Sequence, residues 1–179
     1  MIKVIAFDLV GVLVKEKNIQ LTEQETKLER LFGPNISDED YLNKASLLLN
    51  EEIDIPNLTK DIINKLYEVK DISLISKIVN KFPEIKIIIA TNHVSYIEDY
   101  IKNNITHLDR IYISAKINEI KPNKKFYKYI CDDLILLPSE ILFLDDNIDN
   151  INVAKEYGLN TIHIEKNTDI FSEIIHKLK

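Results

Sequence analysis

The feature that most constrains the fold is an apolar run at the start of the chain that ends in a carboxylate. Residues 2–7 read IKVIAF, and Asp8 follows them directly. A nearly unbroken apolar run of this length is typical of a strand that is buried on both faces of a sheet. Because open α/β sheets bind ligands at the carboxyl ends of their strands, Asp8 is a candidate active-site residue. The same stretch is equally consistent with an Asp that only begins a turn.

Three later segments also place polar residues after apolar ones, and two of them are again buried-strand runs. They supply Thr91 and Asn92 after residues 87–90, Lys121 and Pro122 after Ile120, and Asp145 and Asp146 after residues 141–144. Because the carboxyl ends of parallel strands meet at one edge of a sheet, this order favours an active-site role for Asp8 over a turn.

This ordered set of polar residues resembles the motifs of the haloacid dehalogenase superfamily of hydrolases. That family carries a nucleophilic Asp after its first strand, a Ser or Thr after the second, a Lys before a Pro, and an acidic pair after the fourth. The resemblance covers the N-terminal stretch and residues 85–159, and it leaves most of residues 15–81 unmatched.

After residue 72, strand patterns alternate with helical ones. Apolar runs predict strands over residues 2–7, 85–90, 110–114, 141–144 and 161–164. This alternation predicts parallel pairing with right-handed crossovers. We therefore expect an α/β fold with a three-layer, Rossmann-like core, formed by residues 1–14 and 72–179 around a mainly parallel five-stranded sheet.

Residues 15–71 show a helical pattern instead. Signals for helix starts stand at Thr22 with Glu25, at Ser37 and at Pro56, and Gly33-Pro34 closes the first helix after Phe32. The resemblance implies that this segment is a small all-helical cap, inserted after the first strand and placed over the active site. The alternative is three helices that pack on the core and have no role in substrate choice.

Composition limits the classes of partner. The formal net charge of -6 argues against non-specific nucleic-acid binding, which requires a basic face. No apolar run approaches the length of a membrane span, and the first residues begin a strand rather than a signal peptide. The single cysteine, Cys131, excludes an internal disulfide and suits a reducing cytosol. We expect a cytoplasmic protein that binds neither nucleic acid nor membranes, and nothing in the sequence indicates an oligomeric state.

The resemblance implies a Mg²⁺-dependent phosphatase that acts on a small phosphorylated molecule. Asp8 would attack phosphorus and form an aspartyl-phosphate. Lys121 would neutralise Asp8 and the phosphate as a point charge. The hydroxyl of Thr91 and the backbone N–H of Asn92 would bind phosphate oxygens. The next residue, His93, is either a substrate contact or a surface histidine.

The resemblance also implies a set of magnesium ligands. These are Asp8, the backbone carbonyl of Val10 and Asp145, with Asp146 and Asp149 in the coordination shell or next to it. The alternative for the Asp145-Asp146 pair is a helix N-cap.

Two asparagines bear on the loops that carry these groups. The family has a Gly where Asn118 stands, and Asn is among the residues most tolerant of positive φ, so we expect the same turn before Lys121. Asn150 is expected to support the acidic loop.

Val10 departs from the pattern of the family phosphatases. They carry at this position a second Asp that protonates the leaving group and later activates water, and valine cannot transfer a proton. Three explanations compete. Another group supplies the proton, with His93 and Glu16 as candidates; or the substrate needs no acid, as with a halide or an acyl phosphate; or the chain has lost catalysis and kept the fold for binding.

The dehalogenase branch of the family also lacks the second Asp. It works without Mg²⁺, typically has an aromatic residue where Val10 stands, and relies on a suitably placed Arg. This chain has only Arg30 and Arg110, which sequence alone does not place in the site. The retained acidic cluster favours the metal-dependent branch.

Overall fold

The computed structural model describes residues 1–33, 37–49 and 53–179. The strands, in chain order, are β1 (Val4–Phe7), β2 (Val14–Glu16), β3 (Tyr67–Val69), β4 (Lys86–Thr91), β5 (Arg110–Ile113), β6 (Ile141–Asp145) and β7 (Asn160–His163). The α-helices are α1 (Glu23–Glu29), α2 (Asp38–Leu48), α3 (Ile55–Leu66), α4 (Leu74–Lys81), α5 (Ile97–Asn104), α6 (Ser114–Ile117), α7 (Lys124–Leu134), α8 (Ile148–Tyr157) and α9 (Ile170–Leu178). The five predicted strands are all present, each within two residues of its predicted bounds.

The main sheet has five parallel strands in the order β5-β4-β1-β6-β7, which confirms the predicted fold class. From the central strand β1, the chain adds β4 and β5 on one side and then β6 and β7 on the other, so the strand order reverses at β1. Open α/β sheets bind ligands next to such a switch point. Phe7 of β1 lies opposite Ile89 of β4 and Leu144 of β6. Because of this register, Asp8, which directly follows β1, lies beside Asp145, the last residue of β6.

Helices cover both faces of this sheet. Alternate residues of β1 point to opposite faces, so Ile5 and Phe7 belong to one buried cluster and Val4 and Ala6 to another. The first cluster also contains buried residues of α4, α5 and α9, and the second contains those of α7 and α8. The core therefore has the three layers expected from the sequence.

The segment between β1 and α4 contains the predicted helices and also two short strands. β2 and β3 pair antiparallel, with Val14 opposite Val69 and Glu16 opposite Tyr67. They lie where the chain leaves the core and where it returns to it. Each strand has only three residues, which is too short for a period-two pattern to be recognised, and their pairing depends on residues far apart in the chain.

The predicted helix-start signals agree with the structure. The Thr22 side chain accepts a hydrogen bond from the Glu25 N–H, and the Glu25 carboxylate accepts one from the Thr22 N–H, which is a capping box. Ser37 caps α2 through the Asp40 N–H. The first helix ends earlier than predicted, at Glu29, and Pro34 of the predicted stop lies outside the described residues.

Within the described ranges, no helix combines the length and hydrophobicity that crossing a bilayer requires.

Asn118 adopts the left-handed conformation expected of it, with a φ of 56°. It ends α6 three residues before Lys121, so the asparagine supports the turn that the family makes with glycine.

We expect Ile135→Gly to stabilise the protein. Ile135 ends α7 with a φ of 55°, and its side chain is 90% exposed. A side chain in this left-handed conformation costs about 1–2 kcal/mol, which glycine does not incur, and the exposed isoleucine has little packing to lose. The free energy of unfolding in urea should therefore rise by about 1 kcal/mol.

Leu137→Gly is the matched control for this substitution. Leu137 is also exposed but has an ordinary φ of -72°, so glycine there should lower the free energy of unfolding by about 0.5–1 kcal/mol. Changes of the same sign and size in both variants would contradict the assignment of strain to Ile135.

Candidate active site

The polar residues predicted from the sequence meet at the carboxyl edge of the main sheet. They surround a cavity of about 400 Å³. The predicted site residues that line it are Asp8, Val10, Thr91, Asn92, Lys121, Asp145, Asp146 and Asp149. His93, the remaining predicted site residue, is not among the residues that line this cavity.

Lys121 lies between two carboxylates at the base of the cavity. Its Nζ donates hydrogen bonds to Asp8 Oδ1 at 2.8 Å and to Asp145 Oδ2 at 2.7 Å, and all three residues are buried. Burial by itself would lower the pKa of Lys121, but the two carboxylates outweigh it and raise the pKa above its usual value. Lys121 therefore stays an ammonium ion in the folded protein.

Burial raises the pKa of Asp8 to about 6. Lys121 opposes this rise, whereas the nearby negative charge of Asp145 adds to it, and the Leu9 N–H lowers the pKa slightly through a hydrogen bond. Lys121 therefore does not offset the burial of Asp8 and its repulsion by Asp145. Two carboxylates face one ammonium ion, so the site has an excess of negative charge when all three groups are ionised.

Asp145 is fixed by several donors in addition to Lys121. Its Oδ1 accepts the Asn147 N–H at 2.8 Å, and Asn150 Nδ2 lies 3.1 Å from Oδ1 and 3.0 Å from Oδ2. The backbone carbonyl of Asn150 in turn accepts the Tyr127 hydroxyl at 2.9 Å. The Asn150 side chain thus supports the acidic loop directly, by holding Asp145.

Three carboxylates are close enough to share a cation. One oxygen each of Asp8, Asp145 and Asp146 lies within 4.8 Å of the other two. Gly11 makes room for this cluster, because its φ is 89° and a Cβ at this position would overlap the Asp146 carboxylate. Oxygen donors with excess negative charge fit Mg²⁺. Asp149 lines the same cavity but lies outside this group of three.

The Asn92 side chain joins two of the loops that form the site. Its Nδ2 donates to the Lys121 carbonyl at 2.8 Å, and its Oδ1 accepts the Lys121 N–H at 2.9 Å. This paired contact fixes the backbone of Lys121 relative to the end of β4. Thr91, the last residue of β4, is buried at the cavity wall.

His93 is buried and does not line the cavity. It is 2% exposed, its Nδ1 is 3.2 Å from the Val94 carbonyl, and its Nε2 is 3.1 Å from the Tyr67 hydroxyl. Burial lowers the pKa of His93 to about 4. The structure therefore places His93 neither at the surface nor against a substrate in this cavity.

Sequence reasoning did not assign to the site several residues that shape it. Gly11 accommodates Asp146, Asn147 binds Asp145 through its N–H, and Tyr67 binds His93. Gly11 carried a usable signal, because a glycine that soon follows an active-site aspartate indicates a tight turn. The contact between Tyr67 and His93 joins positions 26 residues apart and leaves no local pattern.

One family model and several known proteins are similar to this chain in sequence. A family model described as haloacid dehalogenase-like hydrolase matches residues 5–164. A D-ribitol-5-phosphate phosphatase from Bacteroides thetaiotaomicron is 32% identical over 68 residues, which are 38% of this chain and 33% of that protein. An (S)-2-haloacid dehalogenase from a Pseudomonas species is 34% identical over 64 residues, which are 35% of this chain and 28% of that protein. The matched segment thus spans only about a third of either relative.

Solved structures share the fold over nearly the whole chain. A predicted HAD-like family hydrolase from Porphyromonas gingivalis has a TM-score of 0.77 at 21% identity, covering 100% of this chain and 98% of the other. A HAD family enzyme from Bacteroides thetaiotaomicron, in complex with magnesium and inorganic phosphate, has a TM-score of 0.76 at 17% identity, covering 97% and 99%. At these identities the likeness shows the fold.

Proposed function

The chain belongs to the haloacid dehalogenase-like hydrolases, and from this premise we propose that it is a Mg²⁺-dependent phosphatase of small phosphorylated molecules. The observation that carries the proposal is the position of Lys121 Nζ, 2.8 Å from Asp8 and 2.7 Å from Asp145, with Asp146 beside them. A carboxylate nucleophile, a buried ammonium ion and a candidate cation site are the groups that phosphoryl transfer to an aspartate requires. The shared fold with an enzyme solved with magnesium and phosphate supports this assignment.

The contacts of the acidic pair favour different roles for its two members. Both oxygens of Asp145 already accept hydrogen bonds, from Lys121, Asn147 and Asn150. We therefore propose that Asp145 positions Lys121, and that Asp8, Asp146 and the Val10 carbonyl hold Mg²⁺. The assignment from the resemblance, in contrast, made Asp145 a ligand. A bound Mg²⁺ would neutralise negative charge where the anionic substrate approaches Asp8.

The residues of this chain would act in two steps. In the first, an Asp8 oxygen attacks phosphorus, forming a bond to it while the bond from phosphorus to the leaving oxygen breaks. In the second, water attacks the same phosphorus and releases Asp8 and inorganic phosphate. Lys121 and the Thr91 hydroxyl would stabilise the negative charge on the phosphoryl oxygens in both steps.

The proton for the leaving group has no evident donor at position 10, because valine cannot supply one. Of the substitutes that the sequence suggested, His93 is outside the cavity wall with a bonding partner at each ring nitrogen, and Glu16 is exposed on β2. We therefore propose that the preferred substrates have leaving groups that depart without protonation, such as acyl phosphates or aryl phosphates.

We propose that residues 15–71 form a cap over this site. Gly33 of this segment lines the cavity, and the Phe32 carbonyl accepts the Val94 N–H at 3.0 Å. Asp38, at the start of α2, accepts the Ser95 N–H at 2.8 Å and also binds the Ser95 hydroxyl. Through these contacts the segment packs against the loop that follows β4, at the residues just after Thr91 and Asn92.

Val10→Asp tests both the proposed phosphatase activity and the absence of a general acid at position 10. With Mg²⁺ present, the wild type should release phosphate from p-nitrophenyl phosphate and from acetyl phosphate. The variant should gain about 10²-fold in kcat on a sugar-alcohol phosphate, whose leaving group needs a proton, and less than about tenfold on p-nitrophenyl phosphate. Phosphate release with Mg²⁺ and with EDTA measures both quantities.

Val10→Asn is the control, because asparagine has the shape of aspartate but is not a general acid. It should show no gain on the sugar-alcohol phosphate. A wild type that is inactive on every phosphate tested would contradict the phosphatase proposal. The absence of any gain by Val10→Asp on the sugar-alcohol phosphate would contradict the assigned role of position 10.

Val10 also favours a second candidate function, a binding protein that has kept the scaffold and lost catalysis. In that case Asp8 would form no adduct with the phosphoryl analogue BeF₃⁻. A crystal soaked with beryllium fluoride and Mg²⁺ decides the point, because an adduct on Asp8 would exclude an inert site.

The partial likeness to a haloacid dehalogenase favours a third, lower-ranked candidate. That activity would release chloride from 2-chloropropionate in EDTA. The group formed by Asp8, Asp145 and Asp146 favours the metal-dependent chemistry instead.

A further inference from the structure

A buried hydrogen bond links the end of the cap segment to the loop that carries the phosphate-binding groups. Tyr67 is the first residue of β3, and its hydroxyl lies 3.1 Å from His93 Nε2. Both side chains are buried, and their rings pack edge to face with centroids 5.8 Å apart. His93 directly follows Thr91 and Asn92 in the chain.

The hydrogen-bond partners determine which ring nitrogen of His93 carries the proton. The Val94 carbonyl, 3.2 Å from Nδ1, can only accept, so Nδ1 is protonated. Nε2 is then the acceptor, and the Tyr67 hydroxyl donates to it. Burial raises the pKa of Tyr67 and lowers that of His93 to about 4. Both groups are therefore neutral across the physiological range, and the direction of the bond is fixed.

His93 is also held by the core and by the cap segment. Its N–H donates to Ser114 Oγ at 3.0 Å, and its carbonyl accepts the Ala115 N–H at 3.4 Å. On the other side, the Phe32 ring packs on the imidazole with centroids 5.3 Å apart. A shift of this imidazole would disturb the adjoining segment at residues 91–92.

Residues 91–92 connect His93 to the proposed catalytic lysine, Lys121. Asn92 is paired with the backbone of Lys121 through two hydrogen bonds, and Lys121 Nζ binds Asp8. A continuous series of contacts therefore runs from Tyr67 through His93 and Asn92 to Lys121.

On the basis of the function proposed above, we propose that Tyr67 is a positioning residue for phosphoryl transfer. Its hydroxyl fixes the His93 imidazole and thereby holds Thr91, Asn92 and the Lys121 backbone in the geometry that the transition state needs. Tyr67 lies where the cap segment returns to the core. The hydrogen bond between Tyr67 and His93 therefore couples the orientation of the cap to that of the loop that contains Thr91 and Asn92.

Tyr67→Phe tests this role by removing one hydroxyl and leaving the ring. We expect kcat for p-nitrophenyl phosphate to fall about 3- to 10-fold, the range expected for a single neutral hydrogen bond, with KM changed less than twofold. The Mg²⁺ concentration for half-maximal activity should be unchanged, because the proposed ligands lie on the loops after β1 and β6.

Tyr112→Phe is the matched control. Tyr112 is also buried, and its hydroxyl binds Asp133 at 2.6 Å, but the residue lies in β5 on the opposite face of the sheet. It should lose a comparable amount of thermal stability while keeping its kcat. If both variants lose kcat in proportion to their stability, Tyr67 has only a structural role and the proposal is wrong.

Amide hydrogen exchange gives a readout that does not depend on activity. The N–H groups of His93, Val94 and Ser95 all donate within the structure. They should exchange about tenfold faster in Tyr67→Phe than in the wild type, and at an unchanged rate in Tyr112→Phe. Unchanged exchange in Tyr67→Phe would overturn the proposal. Exchange tests whether Tyr67 holds this loop even if the wild type hydrolyses no phosphate, so failure of this inference remains distinguishable from failure of the proposed function.

His93→Gln and His93→Leu complete the experiment. Glutamine can place an acceptor near the position of Nε2, whereas leucine fills the space without one. The exchange rates of residues 94 and 95 should be closer to wild type in the glutamine variant. Equal rates in both variants would show that packing of the ring, rather than the bond to Tyr67, holds the loop.

Discussion

Asp8→Asn is expected to reduce phosphate ester hydrolysis by at least about 10³-fold and, in metal-free protein at neutral pH, to stabilise the fold. The loss of rate follows because an amide cannot act as the attacking carboxylate. The gain in stability follows because Asp8 and Asp145 share a single buried cation, Lys121. Removing the charge of Asp8 leaves a balanced pair, and the asparagine Oδ1 can still accept from Lys121.

The pKa of Asp8 determines the pH range of this stabilisation. Its folded value, about 6, is above the ordinary value of 3.8. Ionised Asp8 therefore costs the folded protein free energy above about pH 6, and the cost disappears as the pH falls toward 4, where the folded protein keeps Asp8 protonated. We expect Asp8→Asn to raise the free energy of unfolding by up to about 3 kcal/mol at pH 7.5, with the difference falling below about 1 kcal/mol near pH 4.

Urea unfolding in EDTA across this pH range measures the stability difference, and phosphate release with Mg²⁺ measures the activity. An active Asp8→Asn protein would exclude Asp8 as the nucleophile. A variant that is less stable than the wild type at pH 7.5, with a difference that does not depend on pH, would contradict the excess of buried negative charge.

Lys121→Met is expected to cause the largest loss of stability of the substitutions considered. It leaves Asp8 and Asp145 buried next to each other without a cation, and breaking a buried ion pair in this way costs about 3–5 kcal/mol. Catalysis should fall by at least about 10²-fold, because the charge that stabilises the phosphoryl oxygens is lost. Since desolvation and mutual repulsion raise carboxylate pKa values, the variant should regain stability as the pH is lowered from 7.5 to 5.

Lys124→Met provides the matched control, because Lys124 forms an exposed ion pair with Glu156 at 3.2 Å. Exposed pairs contribute about 0–1 kcal/mol, so this variant should unfold close to the wild type and keep its activity. Unfolding followed by circular dichroism at pH 7.5 and at pH 5 measures the stability of Lys121→Met and of Lys124→Met. A Lys121→Met protein that is as stable as Lys124→Met at pH 7.5 would show that Asp8 and Asp145 are not both charged in the folded protein.

Several residues of the site were predictable because they end or follow buried strands with a strong sequence pattern, whereas Lys121, which lies in a turn after α6, was predicted from its place before Pro122 in a segment that resembles the family. Asp8 and Asp145 follow buried strands, and parallel pairing in register brings such strand ends together. Asn118 was predictable as the residue that replaces a glycine, because few side chains tolerate its φ.

The setting of His93 was not predictable for a physical reason. Adjacent residues after a strand can point into a cavity, into the core or into solvent, and the backbone that decides this is fixed by contacts with distant segments. For His93 these contacts come from Tyr67, Phe32 and Ser114. The short pairing of β2 with β3 escaped prediction for the same reason.

The sequence by itself determined the α/β class, the order of the strands along the chain, and most of the side chains that line the cavity at the carboxyl edge of the sheet, because buried strands and helix starts follow local patterns of polarity. Only the tertiary structure decided which of those side chains contact one another. It places Lys121 between Asp8 and Asp145, sets Asp146 against Gly11, and turns His93 toward Tyr67. Such contacts join residues distant in the chain, and their geometry depends on the packing of whole elements, so no local pattern encodes them.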